Sequence, residues 1–359
     1  MRLEQITFTR FLAAIGIVLF HFGTQTAPFN FQPTAFLFTE GNIGVSYFFI
    51  LSGFIMVISY SGKGTIPLVD YYRKRVARIY PLYLLAILLF FAYFIFVHGI
   101  IDYTAMGLNI LLLQSWSPKY ALSFNGPGWS LAVETLFYLL FPLLFNTIYS
   151  KATLKRLVLP ILAIWAVTQA VFVAGLYAPF YQHAAIKTML SYFPLMHVSQ
   201  FLMGNLAGLF FVKYQQELRG SYDVALLLLL AALILLLKYP PGKYPAGLLY
   251  HDGLMALIFV PLILLLSANT GIITRVFRAR PLIFLGEISY GVYILQRPVF
   301  VWSREMLAGL GITNATTKFY LFLTLLLVVA VVCYYLVEVP LRKMIIGFRI
   351  RKKDKLQYA

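Results

Sequence analysis

LLLLLAALILLL, residues 226–237, runs unbroken between Asp223 and Lys238. A helix of that composition is apolar on every side and has no face to offer to water. Similar runs recur, from LAAIGIVLF at 12–20 to FLTLLLVVAVVCYYLV at 322–337. Of the 359 residues 61% are hydrophobic and only 11% charged, with mean hydropathy +0.83, whereas a soluble domain carries about 25% charge. The expected fold is an all-α integral membrane bundle. Runs long enough to span occupy 6–24, 43–60, 79–98, 129–149, 157–175, 195–212, 222–238, 251–268, 281–301 and 317–337, which makes ten helices. MGLNILLLQ at 106–114 is too short to cross and reads as a re-entrant or interfacial piece.

The basic residues support this count. With the N-terminus in the cytoplasm, 22 of the 29 Lys and Arg fall on the inner side, as the positive-inside rule requires. The seven outer ones are Lys119, Lys187, Lys238, Lys243, Arg297, Arg304 and Lys318. Counting 106–114 as a span would reverse every later loop, so both termini are expected inside. The net charge of +17 is thereby accounted for by topology, and no separate basic domain points to nucleic acid. The expected organisation is one transmembrane domain, 1–345, with a basic cytoplasmic tail, 346–359. The start reads as a retained first span rather than a signal peptide. The outer loops at about 25–43, 99–128 and 176–194 are expected to fold over the outer mouth, and no room is expected for a second catalytic domain. Cys333 is the only cysteine, which excludes a disulfide framework and a cysteine zinc site.

Ionisable side chains inside a span are costly and are functional candidates. Arg10 and His21 share the first helix, eleven residues apart, which is about three turns and roughly 16 Å along nearly one face. That face offers an anion-binding group toward the cytoplasm and a base toward the outside, since neutral imidazole takes a proton from a hydroxyl near pH 7. The alternatives are a snorkelling topology anchor for Arg10 and an interfacial or packing role for His21. YYRKRVARIYPLY, residues 71–83, carries Arg73, Arg75 and Arg78; the last two share a helix face if the stretch is helical. Guanidinium groups fork onto phosphate, as a donor such as acyl-CoA would need. The alternative is an anchor that touches anionic lipid.

NGPGWSLAVETLFYLLFP, residues 125–142, breaks the outer loop and then enters a helix. Trp129 suits the interfacial aromatic belt. Ser130 and Glu134 fall on one face, with Ser130 a helix cap or a donor to substrate. Glu134 is expected at the depth of His21, where a carboxylate would orient and charge-stabilise the imidazole; the alternative is an ion pair with a neighbouring helix. EISYGVYILQRP, residues 287–298, sets Ser289, Tyr293, Gln296 and Arg297 near one stripe, and Glu338 is placed to neutralise a cytoplasmic arginine. His98, His183, His197 and His251 show no metal-ligand spacing, so no metal is expected. Phosphate-loop, dinucleotide and G-x-S-x-G patterns are absent.

Taken in order, Arg10…His21 in RFLAAIGIVLFHF, GVSYFFILSGFIM at 44–56, RKRVARIYPLY at 73–83, GWSLAVETLFYLLFP at 128–142, EISYGVYILQRP at 287–298 and the closing Glu338-Val-Pro340 resemble acyltransferase family 3. These are integral membrane O-acyltransferases that modify bacterial surface polysaccharides. The resemblance implies a multi-pass enzyme of the bacterial cytoplasmic membrane that takes an acyl group, acetyl being expected, from cytoplasmic acetyl-CoA. The acceptor it implies is a glycan or lipid-linked saccharide. No cofactor is expected beyond that cosubstrate, and no partner beyond donor, acceptor and membrane lipid. By resemblance Arg10 and His21 match the family's essential first-helix pair, Arg75 and Arg78 its basic stretch, and Trp129, Ser130 and Glu134 its aromatic-Ser…Glu motif. Many members carry His where Gln296 stands; Gln cannot act as a base. Many also carry an appended esterase-like domain, which is not expected here. The rival readings from the residues alone are a transporter or flippase of a lipid-linked sugar, a receptor or structural component without chemistry, and an acyltransferase that uses fatty acyl chains.

Overall fold

The computed structural model describes residues 3–178, 183–238 and 253–356. His251 and Lys243 lie outside these. The described chain is helical: α1 (Glu4–Gly23), α2 (Ile43–Tyr60), α3 (Leu68–Phe96), α4 (Tyr103–Ile110), α5 (Gly126–Tyr149), α6 (Leu154–Tyr177), α7 (Ala184–Tyr192), α8 (Pro194–Tyr214), α9 (Asp223–Lys238), α10 (Ala256–Ala268), α11 (Ile272–Phe277), α12 (Arg280–Gly309), α13 (Ala315–Cys333) and α14 (Val339–Leu356). Seven are long and apolar enough to cross a membrane: α1, α2, α3, α5, α6, α8, and α13 with its continuation to Gly347. The other three expected spans also coincide with helices. The described α9 and α10 have 16 and 13 residues, short of a full crossing at 1.5 Å per residue. α12 has 30 residues, yet Arg280, Glu287, Arg297, Arg304 and Glu305 interrupt its apolar character. The eight-residue α4, within which the 106–114 segment begins, is too short to span. The expected boundary at 345 falls inside α14, which runs on to Leu356.

The bundle is apolar outside as well as inside. Leu139, Leu143, Leu159, Leu228 and Leu336 are each more than half exposed, the surface a helix presents to lipid rather than to water. Between lipid-facing helices, close backbone approach replaces the hydrophobic effect as the cohesive force. α2 and α8 show this. A Cβ on Gly53 would lie 2.2 Å from the Phe201 carbonyl oxygen, and one on Gly204 would lie 2.0 Å from that of Ile50. Gly204 and Gly208 stand four apart in GNLAG, the small-xxx-small spacing.

The segments assigned to one side by charge meet in space. Glu4 pairs with Arg278 at 3.5 Å, the Thr270 N–H donates to the Gly220 carbonyl at 2.8 Å, and Asn146 clips both the N–H and C=O of Ile66 at 2.8 and 3.1 Å. At the other end the 99–128 loop tucks onto the bundle. Fully buried Gln114 donates to the Gly128 carbonyl at 2.9 Å, and Asn125 to that of Ile294 at 2.9 Å. These contacts fix the start of α5, where Gly126–Gly128 forms a tight turn that leads straight into the helix.

Candidate functional site

Three cavities follow one another along α1. The first is lined by Leu3, Ile6, Thr7 and Arg10 of α1 and by Leu51, Ile55, Ile58 and Ser59 of α2. The second shares Arg10, Leu51 and Ile55 with it and adds Ser52, Arg75, Arg78, Ser130, Glu134, Tyr138, Ser289, Tyr290 and Tyr293. The third holds His21, Asn42, Ser46, Trp129, Tyr192 and His197, and shares Val45, Phe49 and Tyr293 with the second. One layer of side chains therefore separates the last two cavities.

α3 begins at Leu68, earlier than the apolar run, so RKRVAR is helical and Arg75 and Arg78 do share a face. Both reach the middle cavity, together with Arg10. Arg75 lies over the rings of Tyr71 and Tyr138, 5.2 and 5.3 Å from their centroids, within cation–π range. Among the described residues Glu134 is the one carboxylate lining that cavity. It accepts from the Tyr138 hydroxyl at 2.5 Å and the Ser52 hydroxyl at 3.3 Å. Among the described residues none of the three lining arginines forms an ion pair within 4 Å, and three cations face the single carboxylate of Glu134. The excess of buried positive charge suits the cavity to an anion. Arg73 is not part of it. Its guanidinium is tied to Asp70 at 3.2 Å on the first turn of α3, so the structure does not bring it together with the other arginines expected in the donor site.

The expected pairing of Glu134 with His21 is also corrected. Trp129 stands beside His21 in the outer cavity, and Glu134 is five residues further along α5, about 7.5 Å deeper. It belongs with the arginines. The partner of His21 is Gln296, whose Oε1 lies 2.8 Å from Nδ1. Gln296 is fully buried and its amide nitrogen donates to the Tyr293 carbonyl at 2.7 Å. That bond fixes which way the amide points, so Oε1 must face the imidazole. A carbonyl oxygen only accepts, so Nδ1 carries the proton and Nε2 keeps its lone pair in neutral His21. His21 lies in the last turn of α1, Leu19–Gly23, which is π-wound; such turns recur at functional sites. The side chain is exposed to the outer cavity.

The remaining expected residues support these two groups. Tyr293 stands at the partition, its hydroxyl 2.8 Å from Ser130 Oγ and 3.0 Å from the Pro127 carbonyl. Ser130 also reaches that carbonyl, at 3.1 Å, and does not cap the helix. Ser289 lines the middle cavity and donates to the Gly286 carbonyl at 2.7 Å. Arg297 is exposed and lines none of the three cavities. Glu338 meets Arg342 at 3.7 Å, an arginine neighbour as expected. His197 is a satisfied core histidine, engaged with the Ser191 carbonyl at 3.1 Å and Gln200 at 3.0 Å. Among the described residues no group of His, Cys, Asp and Glu could hold a metal. Ser52, Tyr138, Tyr192 and Tyr290 were not singled out by the sequence reading. Of these only Tyr138, one helical turn after Glu134, was signalled by spacing.

The acyltransferase domain family matches residues 3–338. The chain belongs to acyltransferase family 3. It is 27% identical to the acyltransferase MdmB of Streptomyces mycarofaciens, over 86% of this chain and 82% of that protein. It is 24% identical to the peptidoglycan O-acetyltransferase OatA of Listeria monocytogenes, over 93% of this chain and 55% of that protein. With the O-acetyltransferase OatA of Staphylococcus aureus MRSA252 the identity is 21%, over 98% of this chain and 59% of the other. The chain thus spans between half and two thirds of the OatA proteins. No solved structure matches it.

Proposed function

We propose that this protein is a multi-pass enzyme of the bacterial cytoplasmic membrane, with both termini inside. It transfers an acetyl group from cytoplasmic acetyl-CoA to a hydroxyl of a cell-surface or lipid-linked glycan, with His21 as general base. The observation that carries this reading is the middle cavity, where Arg10, Arg75 and Arg78 face one carboxylate and back onto the cavity of His21 through Val45, Phe49 and Tyr293. The names of the OatA relatives, which specify O-acetylation and in one case peptidoglycan, support the acetyl group and the glycan.

The chemistry follows from the two chambers. The donor phosphates pair with the arginines by forked, charge-assisted hydrogen bonds, and the thioester arm points toward the Tyr293 partition. The acceptor hydroxyl gives its proton to Nε2 of His21 as its oxygen attacks the thioester carbonyl. A C–O ester bond forms, the C–S bond breaks, and the imidazolium returns the proton to the CoA sulfur. A two-step route through acyl-histidine would instead release a burst of CoA before transfer. In the full-length protein, reconstituted in vesicles and supplied with acetyl-CoA, His21→Ala abolishes transfer while insertion and thermal unfolding stay unchanged. An active His21→Ala protein refutes the assignment. Mass spectrometry of envelope glycans with and without the protein identifies the acceptor by acetyl-sized differences.

A further inference from the structure

Two hydrogen-bond donors in the outer cavity have no visible task. The indole N–H of Trp165 donates to the Gly253 carbonyl at 2.8 Å, and that of Trp302 to the Leu89 carbonyl at 3.1 Å. Trp129 has no hydrogen-bond partner among the described residues, although three rings hold it in place: Phe49, Tyr192 and His197, with centroids at 5.8, 5.0 and 5.2 Å. The Tyr192 hydroxyl is likewise without a partner among them. Both side chains are partly exposed and line the chamber of His21. Neither polar end is sealed from solvent, so both donors are available to a ligand that enters the chamber beside the base.

The walls define that ligand. Among the described residues the lining comprises Phe20, Phe49, Trp129, Tyr192 and Tyr293 as aromatic members and includes no Arg, Lys, Asp or Glu. Arg297 is exposed, packs near Gly126 and does not line the chamber, although its charge reaches His21. A carboxylate or phosphate on the acceptor would find no cation in this lining to pair with and would be poorly compensated for its desolvation. The cavity measures about 190 Å³. By the same measure one water needs about 10–15 Å³, so there is room for a six-membered ring with its substituents.

We propose that this chamber is the acceptor subsite and that it takes an uncharged pyranose. Trp129 Nε1–H and the Tyr192 hydroxyl donate to ring oxygens, aromatic faces cover the C–H face of the sugar, and one hydroxyl is left at Nε2 of His21. Trp129 and Tyr192 are specificity residues for the acceptor, as the three arginines are for the donor. The inference rests on the acyltransferase reading, and its test separates the two.

The test uses the full-length protein in vesicles with acetyl-CoA and detergent-soluble probes. These are octyl glycosides of glucose, galactose, mannose and N-acetylglucosamine, octyl glucuronide, and octanol. Transfer to at least one neutral pyranoside, at a kcat/KM tenfold or more above the glucuronide and octanol, is expected. Trp129→Phe and Tyr192→Phe keep the rings and remove only the donors. Each raises the KM for the accepted pyranoside about five- to tenfold, the loss of one hydrogen bond, and shifts the KM for acetyl-CoA less than twofold. Equal or better use of glucuronide or octanol, transfer to these but to no neutral pyranoside, or an effect on the acetyl-CoA KM alone overturns the subsite. No transfer to any of the probes, or full activity of His21→Ala, overturns the acyltransferase mechanism instead.

Discussion

Replacing Gln296 by Leu tests how the base is made. The substitution keeps side-chain volume near that of Gln but removes Oε1, which stands 2.8 Å from Nδ1 of His21, and the amide that donates to the Tyr293 carbonyl at 2.7 Å. An unsatisfied buried donor costs about 1–3 kcal/mol. His21 escapes that cost only by rotating, or by moving its proton to Nε2, and each escape removes the lone pair that takes the acceptor proton. At 1.36 kcal/mol per decade, kcat/KM for acetyl transfer falls roughly 5- to 150-fold. Because Gln296 acts through the imidazole, the variant leaves acetyl-CoA affinity unchanged. Initial rates of transfer from acetyl-CoA, with acetyl-CoA affinity measured in parallel by calorimetry, separate the two effects. Unchanged kcat/KM in Gln296→Leu, or a loss matched by an equal loss of acetyl-CoA affinity, would refute the argument that this amide holds the imidazole in its basic tautomer.

Arg75→Ala and Arg78→Ala each weaken acetyl-CoA binding about tenfold or more, the value of a charge-assisted hydrogen bond, whereas Arg73→Ala, tied to Asp70 outside the cavity, shifts it less than twofold; calorimetry reads all three. Glu134→Gln removes the one acidic group of the donor cavity and tightens acetyl-CoA binding a few-fold through relief of charge repulsion, without displacing the pH profile of kcat/KM. A displaced profile would restore Glu134 as the partner of the imidazole. Gly204→Leu forces α2 off α8, since even a Cβ there would sit 2.0 Å from a carbonyl oxygen. Its thermal unfolding midpoint in detergent falls by roughly 5 °C or more.

The apolar runs made the helices legible in the sequence, and segments grouped by charge, such as those of Glu4 and Arg278, meet in space. Depth and long-range partnership were not legible. Glu134 was expected beside His21 because both lie near outer helix ends, but its level depends on where α5 starts. That start is set by Gln114 and Asn125 holding Gly128 and Ile294. Gln296 is 275 residues from His21, and no spacing rule reaches that far. As a residue type it argued against any auxiliary role, yet an amide that cannot act as a base is well suited to direct one. Arg73 was drawn into the donor site because it neighbours Arg75 in sequence; on a helix, consecutive or alternate residues face different ways. The α2–α8 seam was readable in GNLAG.

The partition between the chambers bears on the reading that competes with acyl transfer. A carrier of lipid-linked sugar must open one chamber and close the other around the whole cargo, which requires helices to rock against each other. Here Tyr293 is held by Pro127 and Ser130, and the α2–α8 seam leaves no slack at Gly53 and Gly204. Such a wall is a poor gate for a saccharide. It is one side-chain layer thick, so on the proposed mechanism a thioester carbon on one side and a hydroxyl on the other need to bridge only Val45, Phe49 and Tyr293. On that mechanism the acetyl group crosses this wall and the sugar does not. Vesicles that carry the protein, a fluorescent lipid-linked sugar in the outer leaflet only, and acetyl-CoA inside should accumulate acetylated sugar with no loss of outer-leaflet label. Movement of the label to the inner leaflet, dependent on the protein and independent of acetyl-CoA, would make the chain a carrier.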